Sequence, residues 1–150
     1  MDLLEMLIPT RVAQTGMTVE DVIKECIEHN VPGIPFVDES GKVVGRISVR
    51  HTFKLTCIPD DLVKGAHLLG DDIEHLKIPE VRVREVFSMP VENFVLKKYP
   101  YTSATSPVVK ALAIMEQHNS GYVFVMDKER YLGIFTRLGA ARLMMTHRDE

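Results

Sequence analysis

Apolar residues recur at three-and-four spacing through MTVEDVIKECIEHN, residues 17–30, where Val19, Val22, Ile23, Cys26 and Ile27 fall on one side of a helix. Thr18 is placed to cap that helix, and Asp21, three residues on, approximates a capping box with a shorter acid. SPVVKALAIMEQHN, residues 106–119, repeats the pattern, with Ser106 at the cap, Pro107 at the first helical position and Val108, Ala111, Leu112 and Met115 on the inward face. After each helix comes a turn, VPG in the first copy and the one-residue-shorter SG in the second, and then a pair of short apolar strands around a polar turn. The strands are IPFVD and VVGRIS at 34–38 and 43–48, and YVFVMD and YLGIFT at 122–127 and 131–136. Gly45 and Gly133 occupy matching places, and a glycine inside a strand marks a bulge or a close approach of another backbone or ligand. A second helix closes each copy, near 50–57 and 137–146.

Both copies also share a beginning. LLEMLIPTRVA and VREVFSMPVENFVL read as short helices followed by extended lead-in segments. Between the copies, Leu62, Val63, Ala66, Leu69, Ile73 and Leu76 predict helical structure broken near Gly70, with Pro59 and Pro79 as punctuation. This stretch is too apolar for a tether and is expected to be an inserted helical arm that packs on the pair or on another subunit. The chain thus divides into a first unit at 1–57, an arm at 58–82 and a second unit at 83–150.

Composition narrows the class. Over 150 residues, 45% apolar and 26% charged content indicates a folded chain and excludes a disordered or fibrous one. A net charge of −3 argues against a general nucleic-acid or anionic-membrane surface, leaving small ligands and proteins as the expected partners. No run of about 18 apolar residues is present to span a bilayer, and the acidic start lacks a signal peptide's basic region, so a cytoplasmic location is expected. Cys26 and Cys57 form no CxxC motif, and Cys26 reads as a reduced core thiol. The six histidines include no HxxxH pair, so no metal site is expected. His29 and His118 align at the ends of the first helices, where a histidine stabilises the last carbonyls. No nucleophile elbow, P-loop or zinc protease motif is visible, so an enzyme is not expected.

The in-register repeat, helix then HN, a glycine-containing turn, an apolar strand ending in Asp, and a strand with glycine ending in Ser or Thr, resembles the CBS domain, named after cystathionine β-synthase. The match covers residues 1–57 and 83–147. It implies an α/β (α+β) fold of two β-α-β-β-α units related by a pseudo-twofold axis, with two clefts between them and pairing of modules into a homodimer; the inserted helical arm lies outside the match. It further implies that a cleft takes an adenosine-containing ligand such as AMP, ADP, ATP or S-adenosylmethionine as a regulatory ligand, no cofactor being required. By the same resemblance, Ser48 and Thr136 match the family's hydroxyl at the end of the last strand. Ile34 and Pro35, with Tyr122 and Val123, match the strand that flanks the adenine, and Thr102 and Ser103 fall in the segment that opens onto the cleft. The family's S/T-x-x-D motif supplies a ribose-binding aspartate, whereas this chain reads SVRH and TRLG. His51 offers an imidazole nitrogen there and Gly139 no side chain. Arg50 and Arg137 either neutralise a phosphate at the start of the final helices or are ordinary solvated helix-start residues. Two functions fit: a stand-alone module that senses the ligand and signals to a protein partner, or a ligand-independent dimeric interaction or scaffold protein.

Overall fold

A computed structural model describes residues 1–58, 60–68, 70 and 83–150. The first unit opens with a 3-10 turn, Leu3–Met6, whose Asp2 and Glu5 form a reciprocal capping box. An extended lead-in follows to Ala13, then α1 (Val19–His29), the hairpin β1 (Gly33–Val37) and β2 (Val43–Ser48), and α2 (Val49–Thr56). Beyond it lie α3 (Asp60–Gly65) and a 3-10 turn at Ala66–Leu68, in which Val63 and Leu68 face solvent. Pro59, Leu69, Ile73, Leu76 and Pro79 of the expected arm, and His75 among the six histidines, lie outside the described residues. From residue 83 the chain continues with α4 (Val83–Ser88), a 3-10 turn at Val91–Phe94, β3 (Tyr101–Ser103), α5 (Val108–Gln117), β4 (Tyr122–Asp127), β5 (Arg130–Thr136) and α6 (Arg137–Thr146).

In the second unit β3 pairs in parallel with β4, which pairs antiparallel with β5. The first unit keeps the same order, but its leading strand shrinks to a single parallel bridge from Ala13 to Phe36, held by Ala13 N–H to the Pro35 carbonyl (2.8 Å) and Val37 N–H to the Ala13 carbonyl (2.9 Å). Each hairpin bulges once, between Phe36 and Val37 and between Val125 and Met126, and each bulge follows the pair made by Gly45 or Gly133.

Register corrects one reading of the repeat. Ile34 pairs with Ile47 and Val123 with Phe135, while Gly33 pairs with Ser48 and Tyr122 with Thr136. Tyr122 therefore stands where the first unit has Gly33, and the turns after the two helices are equal in length. Both turns begin with an asparagine in the left-handed region, Asn30 at φ 53° and Asn119 at φ 49°.

The lead-ins are exchanged between units. Ile8 pairs antiparallel with Ile134 on β5, and Leu96 pairs antiparallel with Arg46 on β2. These matching crossings express the pseudo-twofold relation. The larger core follows the same logic, joining Val22, Ile34 and Ile47 of the first unit to Tyr122, Phe124 and Ile134 of the second. A smaller core gathers Leu3, Val123, Phe135 and Leu143 beneath α5 and α6.

Candidate ligand cleft

Ser48 and Thr136 end the last strand of each unit and cap the helix that follows. The Ser48 hydroxyl accepts from the His51 amide (3.3 Å), and the Thr136 hydroxyl from the Gly139 amide (2.9 Å). The helix starts are pinned to the turns beside them, Val49 N–H to the Pro32 carbonyl (3.0 Å) and Arg137 N–H to the Gly121 carbonyl (2.8 Å).

Next to Thr136 this arrangement opens a cleft of about 800 Å³. The second unit contributes Gly121, Thr136, Arg137, Leu138, Gly139 and Arg142; the first contributes the helix end and turn from His29 to Pro32, and the lead-in adds Met6 and Ile8. Neither unit makes the cleft alone. Gly139 sits close under the cleft wall: a Cβ built there would meet the Thr136 hydroxyl at 3.2 Å, so that the hydroxyl would have to give by a few tenths of an ångström, and the Met6 Cβ at an ordinary 3.6 Å.

Of the residues singled out from the sequence, Thr136 and Arg137 line this cleft. The Arg137 guanidinium is partly committed, donating to the Ser120 carbonyl at 3.0 Å and facing Glu116 at 3.7 Å. Ser48, Arg50 and His51 hold the matching places at the start of α2. There burial, followed by the positive charges of Lys54, Arg46 and Arg50, lowers the His51 pKa below the ordinary histidine value and favours the neutral imidazole. Ile34 and Val123 are fully buried in the two cores, and Pro35 and Tyr122 are buried as well; none of the four lines the Thr136 cleft. Thr102 and Ser103 do not line it either. Instead the Thr102 hydroxyl and Ser103 amide donate to the Ser106 hydroxyl at 2.7 and 3.1 Å, which draws Ser106 away from capping α5 and leaves Pro107 at the cap position.

Sequence reasoning missed Met6, Ile8, Arg142 and the turn from His29 to Pro32. His29 closes α1, as its place at the helix end predicts, but its ring also faces the buried Glu25 carboxylate at 3.1 Å and forms cleft wall. Glu25, Glu28 and His29 bring ligand-type atoms within 4.8 Å of one another. The Glu25 oxygen that faces His29 also accepts the Arg11 amide at 2.7 Å, which ties α1 to the lead-in.

Comparison with known proteins sets this geometry in context. The sequence profile of the CBS domain matches residues 5–55 and 91–146. Comparison with curated protein sequences finds no match. Among solved structures, a CBS domain-containing protein of unknown function from Bacillus anthracis str. Ames Ancestor aligns at a TM-score of 0.66 and 17% identity, over 97% of this chain and 94% of that one. The CBS domain pair of protein MJ0100, solved with 5′-methylthioadenosine and S-adenosyl-L-methionine, aligns at 0.63 and 22% identity over 96% and 99%. CBSX2 in complex with AMP aligns at 0.65 and 16% identity over 98% of both chains. With profile matches on both halves and the exchanged lead-ins joining them, the chain belongs to the CBS domain family, as a tandem pair.

Proposed function

We propose that this pair is a stand-alone regulatory module that binds an adenosine-containing ligand in the Thr136 cleft and signals its occupancy to a protein partner. The observation that carries this reading is the cleft itself, whose size suits a small molecule and whose walls come from both units. A ligand bridging them acts through its different affinity for different arrangements of the two units. The structural neighbours solved with AMP and with S-adenosylmethionine support the ligand class. On this reading the units span 1–57 and 83–150, the 58–82 segment is a connecting arm, the site does no chemistry, and the protein works in the cytoplasm without nucleic acid. Among the described residues no helix is long and apolar enough to cross a membrane. Exposed Ile27, Val109, Leu138 and Met145 support a homodimer formed through helix faces.

Thermal unfolding with AMP, ADP, ATP and S-adenosylmethionine tests the ligand reading. A ligand of the folded state at 100 times its Kd adds about 2.7 kcal/mol of stability, a shift easily read. At least one of the four is expected to raise the midpoint, and light scattering is expected to give twice the chain mass. Indifference to all four at millimolar concentration would favour the ligand-independent scaffold.

A further inference from the structure

The Thr136 cleft is unbalanced in charge. His29, Arg137 and Arg142 line it, and none of its lining residues is acidic. Of the carboxylates around it, Glu28 is exposed next to His29, and three others hold partners of their own. Glu25 holds the Arg11 amide and His29, Glu116 faces Arg137, and Glu5 holds the Asp2 amide and His147. Arg142 lies on α6 one turn beyond Gly139, is exposed, and makes no ion pair among the described residues. Among the described residues, its charge is left to whatever enters.

The lining also lacks a carboxylate, the group that best matches a ribose. A vicinal diol donates two hydrogen bonds and is best matched by a two-oxygen carboxylate. Gly139 has no side chain to offer, and the neighbouring Thr136 hydroxyl, which accepts from the Gly139 amide, keeps a single lone pair. Resting on the ligand-sensing reading above, we propose that this cleft selects its ligand by negative charge and is indifferent to the ribose. It takes phosphorylated ligands, triphosphate in preference to monophosphate and either in preference to an uncharged nucleoside, and it accepts 2′-deoxy and ribo forms alike. Arg142 is the specificity-determining residue.

Calorimetry without divalent cations, at low and high salt, compares ATP, dATP, adenosine, S-adenosylmethionine and inorganic triphosphate on the intact protein. ATP and dATP are expected to agree within about twofold and to exceed adenosine by more than about tenfold, the margin shrinking as salt screens the site. Arg142→Gln should weaken ATP and inorganic triphosphate about five- to tenfold and leave adenosine unchanged, with Arg142→Lys retaining most of the affinity. Because Arg142 is exposed, neither variant threatens the fold. Gly139→Asp supplies the missing acceptor at a position where the Thr136 hydroxyl need shift only a few tenths of an ångström, and an acid in the first turn suits the helix dipole. It should create a preference for ATP over dATP, tighten adenosine about tenfold and weaken inorganic triphosphate. Adenosine or S-adenosylmethionine binding as tightly as ATP, or dATP weaker than ATP by more than tenfold, overturns the proposal while leaving ligand sensing intact. Triphosphate binding that depends on Arg142, with no response to adenosine compounds, upholds the anion cleft and removes the adenosine reading. Silence toward both ATP and inorganic triphosphate overturns it.

Discussion

Arg46 carries a charge into the space between the two units and, among the described residues, meets it with a single side-chain acceptor. Its Nη1 donates to the Tyr122 hydroxyl at 3.0 Å, its guanidinium lies 5.8 Å over the Tyr122 ring, and its buried Nε has no partner. The pairing also explains Gly33, because a Cβ there would meet the Tyr122 hydroxyl at 2.8 Å and the Ile47 carbonyl at 2.7 Å. Burial pushes the Tyr122 phenol above its ordinary value and Arg46 pulls the other way, so the hydroxyl stays protonated and accepts through its lone pairs. Tyr122→Phe removes that acceptor while keeping the ring under the cation. With Nε already unpartnered, the variant is expected to lose about 1–3 kcal/mol in urea unfolding. A loss below about 0.5 kcal/mol would mean that water replaces the phenol and that the pair does not join the units.

At the scale of elements, the helix ends show how local chemistry sets boundaries. Thr18 and Asp21 cap α1 reciprocally, at 3.3 and 2.9 Å, as their spacing predicts. The far end of α6 is tied differently, through His147, whose ring nitrogens meet Glu150 at 2.7 Å and Glu5 at 3.1 Å. The hydrogen bond to Glu150, then the charges of Glu150 and Glu5, raise the His147 pKa above the ordinary 6.5. A raised pKa stabilises the fold fully below about 6.5, and the contribution disappears as pH climbs through the folded value. The melting temperature of the native protein should therefore exceed that of His147→Gln at pH 5.5, with the gap closing by pH 8; a gap independent of pH would assign His147 a packing role only. What was legible in the sequence follows the same division. Periodicity predicted α1 and α5, and the cap predicted the start of α1, because each depends on residues within a turn or two. The strand register was misread by one residue, since VPG and SG look unequal in length while interstrand hydrogen bonds align Gly33 with Tyr122. Ser106 failed as a cap because Thr102 and Ser103, brought near by β3, compete for its hydroxyl. The cleft was half legible: Thr136 and Arg137 lie on their own repeat, whereas His29 to Pro32 reach it from the other unit, which no local pattern records.

For the whole molecule, the exchanged lead-ins make two repeats into one cooperative body. Four backbone hydrogen bonds, between Ile8 and Ile134 at 2.8 Å each and between Leu96 and Arg46 at 2.9 Å each, pass a strand of one half onto the sheet of the other. The close approach is possible only at glycine. A Cβ on Gly45 would meet the Leu96 carbonyl at 2.6 Å and Val95 Cγ1 at 2.7 Å, and one on Gly133 the Ile8 carbonyl at 2.8 Å and Leu7 Cγ at 2.9 Å. Both sequence glycines thus mark a close backbone approach beside a bulge, the two meanings such a glycine carries. Gly45→Ala and Gly133→Ala must each push the other half's lead-in outward, at a cost of about 1–3 kcal/mol. Gly41→Ala is the control, because nothing lies within 4 Å of its Cβ and only its φ of 84° is strained, a penalty of about 1 kcal/mol confined to an exposed turn. Amide hydrogen exchange in β2 and β5 decides the larger question. In a shared fold, Gly133→Ala lowers protection in β2 as much as in β5 although the substitution lies in the second unit, and urea unfolding remains a single transition. Loss of protection restricted to β5, with β2 unchanged, would show two units that fold apart, and a cleft built from both walls would then have no rigid frame through which to report its ligand.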